Sequence, residues 1–285
     1  MERAKVDATG SGKGILYVVA TPIGNLADGS PRAIEALRTA DLIACEDTRT
    51  TRTLLARHGI ATPTVALHQH NERAATAKLI SLLLENKTVA LVSDAGTPGI
   101  SDPGALLVEA AHRAGIPVSP VPGPSAAAAA LSASGFAADR FLFAGFLPAT
   151  AVARRKALEA LELPLPVVLY EAPHRIAATL EDLRQRFGDG REVVICRELT
   201  KKFEEVARLA LGAAPAWLAA RPHRQQGEFV LVLAPGVLPP PAVDAERVLT
   251  LLLEALSPSE AAKIAARITG VPRNELYRRA LQRAK

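Results

Sequence analysis

Residues 88–134 read TVALVSDAGTPGISDPGALLVEAAHRAGIPVSPVPGPSAAAAALSAS, and the order of elements in this stretch decides the fold. TVALVS (88–93) is a short apolar run bounded by turn residues, the pattern of a strand buried on both faces. DPGALLVEAAHRAG follows as a helix, with Ser101 or Asp102 as its cap, Pro103 near its start and Gly115 at its end. IPVSPV is another strand and PSAAAAALSAS another helix. Strand and helix in strict alternation imply a mostly parallel, doubly wound sheet.

Toward the N-terminus the alternation continues. GILYVVA (14–20), DLIACE (41–46) and TPTVALH (62–68) read as strands. Ser30 caps a helix with Pro31 in its first position. TRTLLARHG is a helix ending at Gly59, and NERAATAKLISLLLEN is an amphipathic helix with Asn71 as cap. Toward the C-terminus a new pattern begins near 136–150. It has strands at FLFAGF, PVVLYE, EVVICRE and GEFVLVLAP, and helices near 150–161, 174–187 and 211–220. PGVLPPPAV (235–243) cannot continue a helix or strand and reads as a linker. The expected organisation is a polar leader (1–13), an N-terminal α/β domain (14–135), a second α/β domain (136–236), and a linker with a helical tail (237–285). Length alone is compatible with two domains or with one large α/β domain.

The 285 residues are 49% hydrophobic, ample for a packed core. No apolar stretch reaches the ~20 residues of a spanning helix. The leader lacks the apolar centre of a signal peptide, so a cytoplasmic, non-membrane protein is expected. Cys45 and Cys196 stand alone in strand-like runs and read as buried small hydrophobes. Neither belongs to a zinc ribbon, and no HExxH or Cys/His cluster calls for a metal. The net charge of +5 is modest. Its placement is uneven, with clusters at Arg154–Lys156, Arg197–Lys202, Arg221–Arg224 and along the tail (Arg267, Arg273, Arg278, Arg279, Arg283, Lys285). A solvated basic face and a phosphate-binding surface both fit this.

Ligands of doubly wound sheets sit beyond the carboxyl ends of the strands. Three loops lie there: Thr21–Asn25, Ser93–Gly104 and Pro122–Ala126. Their glycines allow close backbone approach, their prolines fix shape, and helix N-termini follow the second and third. No GxGxxG follows a strand, which excludes the common dinucleotide fingerprint. Gly10–Gly14 lacks the spacing of a P-loop and precedes a strand.

Taken in order, VATPIGNLAD, ACEDTRTTRTLL, HQHNE, LVSDAGTPGISDPG, VPGPSA, FLFAGFLP, YEAPHR, RELTKKFEE and GEFVLV resemble the bacterial small-subunit ribosomal RNA methyltransferase branch of the tetrapyrrole methylase superfamily. The resemblance spans residues 14–285. It implies two α/β domains with S-adenosylmethionine folded into the cleft between them. It also implies methylation of the ribose 2′-oxygen of a cytidine in the decoding region of 16S rRNA, and a homodimer. By the same resemblance the cofactor contacts fall on Pro22, Gly24, Asn25, Ser93, Asp94, Ala95, Gly96, Thr97, Pro98, Pro122, Gly123 and Ser125. Tyr170 and Glu171 with Ala172, Pro173 and the strand 227–231 would close the pocket.

A ribose hydroxyl is a weak nucleophile, so a base or an anion-stabilising cation is expected near it. Polar residues beside the loops are Glu46, Asp47, Arg49, Glu72, Glu171, His174, Arg197 and Lys201. Asp47 and Arg49 are candidates to orient the ribose or cofactor, and Glu171 or Lys201 to assist the hydroxyl. Each has a plainer alternative: Asp47 as a helix cap, Glu171 paired with Arg175, Lys201 as a phosphate contact. The tail SPSEAAKIAARITGVPRNELYRRAL reads as two helices around Gly270-Val271-Pro272. It is either a helix-turn-helix in outline that contacts RNA or a cap on a domain. Two other functions share part of this pattern: a tetrapyrrole C-methylase, and a nucleic-acid-binding regulator without catalysis.

Overall fold

The computed structural model describes residues 14–137, 139–236 and 244–283. The leader 1–13, most of the proline-rich linker and Lys285 lie outside the described residues. The chain divides into two compact units, one up to Gly236 and one after it.

The first unit holds two sheets. In the first, β1 (Leu16–Val19), β2 (Leu42–Cys45), β3 (Thr64–Ala66), β4 (Val89–Val92) and β5 (Val118–Val121) run in the order β3-β2-β4-β1-β5, all parallel. Helices α1 (Pro31–Thr39) and α2 (Thr48–Arg57) cover one face. Helices α3 (Glu72–Leu84) and α4 (Ala105–Arg113) cover the other. Strand β4 shows why its residues form an unbroken apolar run: Ala90 and Val92 pack toward α1 and α2, Val89 and Leu91 toward α3 and α4. A strand buried on both faces has no room for a polar alternate.

Two caps differ from expectation. Asn71 occupies the N-cap position of α3 but makes no side-chain cap bond. It accepts the His68 N–H and donates to the Ala66 carbonyl instead. Helix α4 starts at Ala105, with Gly104 as N-cap at φ +123°. Neither Ser101 nor Asp102 caps it; the Glu72 carboxylate takes the N–H groups of Gly104 and Leu106. Ser30 and Pro31 open α1 as expected.

The second sheet has the order β6-β7-β10-β8-β9. Its strands are β6 (Leu142–Phe146), β7 (Val167–Glu171), β8 (Glu192–Arg197), β9 (Glu205–Ala210) and β10 (Phe229–Leu233). Only the β6–β7 pair is parallel. Strand β9 is an addition to the four strands that the sequence pattern marks. It is an edge strand exposed on one side, so its residues (EVARLA) lack the apolar run that marked the other four. Helices α6 (Ala151–Leu158), α7 (Ile176–Phe187) and α8 (Ala214–Ala219) pack on one face of this sheet. Its other face receives α5 (Ala126–Ser134), through Ala127 and Ala130 against Val168, Val194, Cys196, Val230 and Val232. Helix α5 leaves β5 of the first sheet, so the ends of both sheets meet around its N-terminus. Cys45 and Cys196 are free and buried.

The second unit is three helices, α9 (Ala245–Leu253), α10 (Pro258–Thr269) and α11 (Arg273–Arg283). Their core is Leu249, Ala261, Ala262, Ala265, Leu276 and Ala280. A capping box of Ser257 and Glu260 opens α10, and Gly270 closes it at φ +75°.

Candidate active site

The three loops form one hydrogen-bonded assembly. Thr21 and Gly96 exchange backbone bonds of 2.8 and 3.0 Å, and the Thr21 hydroxyl donates to the Ser93 carbonyl at 3.2 Å. The Thr97 hydroxyl donates to the Pro124 carbonyl at 3.1 Å. Gly96 sits at φ +87°, a conformation strained for a residue with a Cβ. Where this assembly meets the second sheet, Gly145 at φ +62° interrupts the β6–β7 register. A Cβ there would lie 3.2 Å from Ser101 Oγ.

A cavity of about 370 Å³ opens between the assembly and the second sheet, within the ~300–1,000 Å³ of small-molecule sites. Of the predicted contacts, Ala95, Gly96, Thr97, Ser125, Tyr170 and Glu171 line it, as do Ala172, Pro173 and residues 228–230. Ile23, Ile100, Phe146 and Leu199 complete the apolar wall. Phe146 meets Tyr170 edge-on, with centroids 5.5 Å apart. Asp102, Glu171 and Glu228 are the charged residues of the lining, and no Lys, Arg or His among the described residues joins them.

The remaining predicted contacts lie elsewhere. Pro22, Ser93 and Asp94 line a neighbouring cavity of about 290 Å³ beside α2. Gly24 and Asn25 line a third cleft, together with Lys201. Pro98, Pro122 and Gly123 line none of the three, and a Cβ on Gly123 would sit 3.0 Å from Ala20 Cβ.

The residues singled out for catalysis are also dispersed. Asp47 is the N-cap of α2, accepting the Arg49 N–H at 2.8 Å. Its carboxylate also binds the exposed Arg49 guanidinium, at 2.6 Å. The Arg49 hydrogen bonds hold the Asp47 carboxyl down at about 2. Glu171 has no exposed side-chain area and sits 3.1 Å from Arg175 Nε, though not aligned for a hydrogen bond. It accepts from the Thr179 hydroxyl at 2.6 Å and the Ala172 N–H at 2.8 Å. Lys201 Nζ donates to Glu198 at 2.8 Å and Glu228 at 2.9 Å. Desolvation pulls its pKa down, but the two carboxylates outweigh it and the net shift is upward. Its amine is therefore an ammonium, not a proton acceptor. Arg197 is buried on the carbonyls of Gln226 and Phe203. His174 is exposed and lines no described cavity.

Asp102 is the carboxylate that the catalytic candidates omitted. It lies at the cavity wall, and burial raises its carboxyl above the usual range despite a hydrogen bond with Ser93. Glu46 is raised by burial and then by Asp102 and Asp94. Asp94 is itself raised by burial, and accepts the Asp47 N–H at 3.0 Å. The sequence signal was present, since Asp102 belongs to the second loop; the expectation that it capped α4 hid it. Among the described residues no group of three His, Cys, Asp or Glu side chains gathers to hold a metal.

The lining suits a bound S-adenosylmethionine. Its carboxylates and aromatic faces favour a cationic centre, and its glycine and alanine backbone leaves room for a flat ring. Ser125 makes no side-chain cap bond on α5, and the Ala127 N–H at that helix start donates to the Tyr170 hydroxyl on the cavity wall.

Residues 15–215 match the family described as Tetrapyrrole (Corrin/Porphyrin) Methylases. Residues 239–284 match the RsmI C-terminal HTH domain. The chain is 51% identical to ribosomal RNA small subunit methyltransferase I of Xylella fastidiosa strain Temecula1, over 93% of this chain and 98% of that protein. It is 50% identical to the protein of that name from Pseudomonas aeruginosa, over 95% and 98%. In fold it is similar to diphthine synthase, with TM-score 0.59, 20% identity and coverage of 78% and 90%. It is likewise similar to uroporphyrin-III-C-methyltransferase from Thermus thermophilus, with TM-score 0.55, 23% identity and coverage of 78% and 94%.

Proposed function

Because the chain belongs to the tetrapyrrole methylase family, and within it to the ribosomal RNA small subunit methyltransferase I proteins, we propose that it methylates the ribose 2′-oxygen of a cytidine in the decoding region of 16S rRNA. The methyl donor is S-adenosylmethionine, which brings a methyl group already activated on a sulfonium. The observation that carries the reading is the cavity at the meeting of the two sheets, lined, among the described residues, by three carboxylates and no basic side chain.

The protein's own task is alignment, exclusion of water and management of one proton. The apolar wall of Ile23, Ile100, Phe146 and Leu199 excludes water. Glu171, fixed by Arg175 and Thr179, holds the strand end that carries Tyr170. Asp102 takes the proton of the ribose hydroxyl on its carboxylate, because it alone of the three lining acids has no ion pair among the described residues. Asp47 and Arg49, locked together at the start of α2, orient the nucleotide from outside the cavity. The helix-turn-helix tail contacts the RNA through its arginines.

Small ribosomal subunits from a strain lacking this activity, incubated with the enzyme and labelled S-adenosylmethionine, test the proposal. Mass mapping should place one new methyl on a cytidine ribose of the decoding region. Label on a base, or none in RNA, would sink it. A tetrapyrrole substrate is the alternative outcome of the same assay, and the basic tail weighs against it. The homodimer and the cytoplasmic location belong to the same proposal; light scattering and cell fractionation read them. No described helix is long and apolar enough to cross a membrane.

A further inference from the structure

Beside the cavity lies an open cleft of about 610 Å³ that the methyl-transfer steps above do not use. The loop after β1, the C-terminal end of α2 and the turn between β8 and β9 form it. Asn25, Arg57, His58, Thr200, Lys201 and Lys202 line it, and no carboxylate among the described residues does. Two polar atoms in this lining are buried without a hydrogen-bond partner: His58 Nε2 and Thr200 Oγ1. Buried polar atoms are nearly always satisfied, so two orphans in one cleft point to a missing partner. Arg57 and Lys202 are exposed and make no ion pair among the described residues. Thr200 is β-branched yet held at φ +66°, which such residues rarely adopt. The turn is kept there by Glu198, whose carboxylate accepts from both Lys201 Nζ and the Glu228 N–H.

The cleft and the cavity are back to back. Ile23 and Leu199 line the cavity, and their chain neighbours Gly24 and Thr200 line the cleft. Consecutive Cα atoms are ~3.8 Å apart, so the two spaces are separated by about one residue of chain. Lys201 in the cleft is paired with Glu228 on the cavity wall.

Resting on the methyl-transfer reading, we propose that this cleft seats a backbone phosphate of the RNA strand whose ribose enters the cavity. Arg57 and Lys202 supply uncompensated charge. The Thr200 hydroxyl and the His58 ring, buried just beneath the cleft floor, turn toward the phosphate oxygens and donate to them once it is seated. Lys201, neutralised by two carboxylates, holds the turn in place.

The test uses the full chain. Arg57→Ala/Lys202→Ala should raise KM for small subunits about tenfold. It should also reduce the slope of log K against log[salt] for RNA binding by about 1, since each phosphate contact contributes ~0.7–0.9. Thr200→Val, which keeps every charge, should raise KM with the slope unaltered. Affinity for S-adenosylmethionine, read by calorimetry, should match the parent in both. Lys78→Ala, on the opposite face of the first sheet, is the control and should change none of these. Unchanged KM and slope in the double variant would overturn the proposal, as would an equal loss in Lys78→Ala. If inorganic phosphate raises the parental melting temperature while the double variant keeps parental KM, the cleft is a free-anion site and the proposal falls. A parent that binds RNA with the expected salt slope but transfers no methyl would sink the methyl-transfer reading instead.

Discussion

The Glu72 carboxylate, at the first position of α3, accepts the backbone N–H of Gly104 at 2.8 Å and of Leu106 at 3.2 Å. One helix thus supplies the cap of another, 32 residues further along the chain. The contact fixes the end of the Ser93–Gly104 loop, because Asp102 and Ser101, two and three residues back from Gly104, stand at the cavity wall. Glu72→Ala leaves two helix-start N–H groups without an acceptor. Hydrogen bonds to charged groups are worth ~1.5–3 kcal/mol, so a loss of that size is expected in urea unfolding. Weaker S-adenosylmethionine binding should accompany it. Stability within ~0.5 kcal/mol of the parent would show that water replaces the cap without cost.

Asp102 carries the proton transfer in the proposed reaction, and its pKa sets a pH profile. Burial raises that pKa, and the carboxyl must be ionised to accept a proton. Turnover should therefore climb with pH through the raised value and level off above it. Asp102→Asn should lower kcat by ~10²–10⁴-fold and abolish that limb. Parental kcat in Asp102→Asn would remove Asp102 from the mechanism.

How far the sequence was legible follows from where each signal lives. The parallel sheet was legible because β4 and its neighbours are buried on both faces, which leaves an apolar run that no other element imitates. Strand β9 was not, since an edge strand with one wet face needs no such run. The loops at the strand ends stand out in the sequence, yet only part of them lines the cavity. Glycine and proline content marks a tight backbone and does not say what it is tight against. Gly123 is close to Ala20, and Gly24 to Lys201, so tight packing alone accounts for a glycine at both. The sequence admits two roles for Asp47 and for Glu171. Their contacts match the plainer reading, a helix cap and an ion pair, and a cap or a pair leaves a carboxylate little freedom to move a proton.

Glu46 gives a pH signature of stability. Burial raises its carboxyl, and Asp102 and Asp94 push it further. A carboxyl with a higher pKa in the folded chain binds its proton more tightly there. The stabilisation is complete below the unfolded value and is lost as pH rises through the folded one. Glu46→Gln removes the anion that the native state disfavours. It should melt above the parent at pH 7–8, and the two curves should converge below the ordinary value of 4.5. A gap that widens toward acid would contradict the sign.

Gly24 meets the turn after β8 so closely that a Cβ would lie 2.4 Å from Lys201 Cγ, 2.9 Å from Thr200 Oγ1 and 3.0 Å from the Leu199 carbonyl. Overpacking of this kind costs ~1–3 kcal/mol. Gly24→Ala should lower stability by that amount and weaken cofactor binding, because Leu199 belongs to the cavity wall. Removing the Lys201 side chain in the same protein relieves the closest of the three contacts only. The double variant should regain part of the loss, measured as a coupling energy. Strict additivity would mean that the clash is absorbed elsewhere.

The tail has its own core. Truncation after Gly236 should leave S-adenosylmethionine affinity unchanged while KM for small subunits rises at least ~10-fold, as expected when several phosphate contacts are lost. Its arginines are not equivalent. Arg279 is tied to Glu246 and Glu275, which makes it a brace of α11. Arg267 and Arg278 are exposed and make no ion pair among the described residues. Arg267→Ala/Arg278→Ala should weaken RNA binding with the melting curve unaltered, whereas Arg279→Ala should act mainly on the stability of the tail. Measured side by side, salt-dependent RNA affinity and thermal unfolding separate the two roles; a truncated enzyme with parental KM would leave the tail without a part in substrate capture.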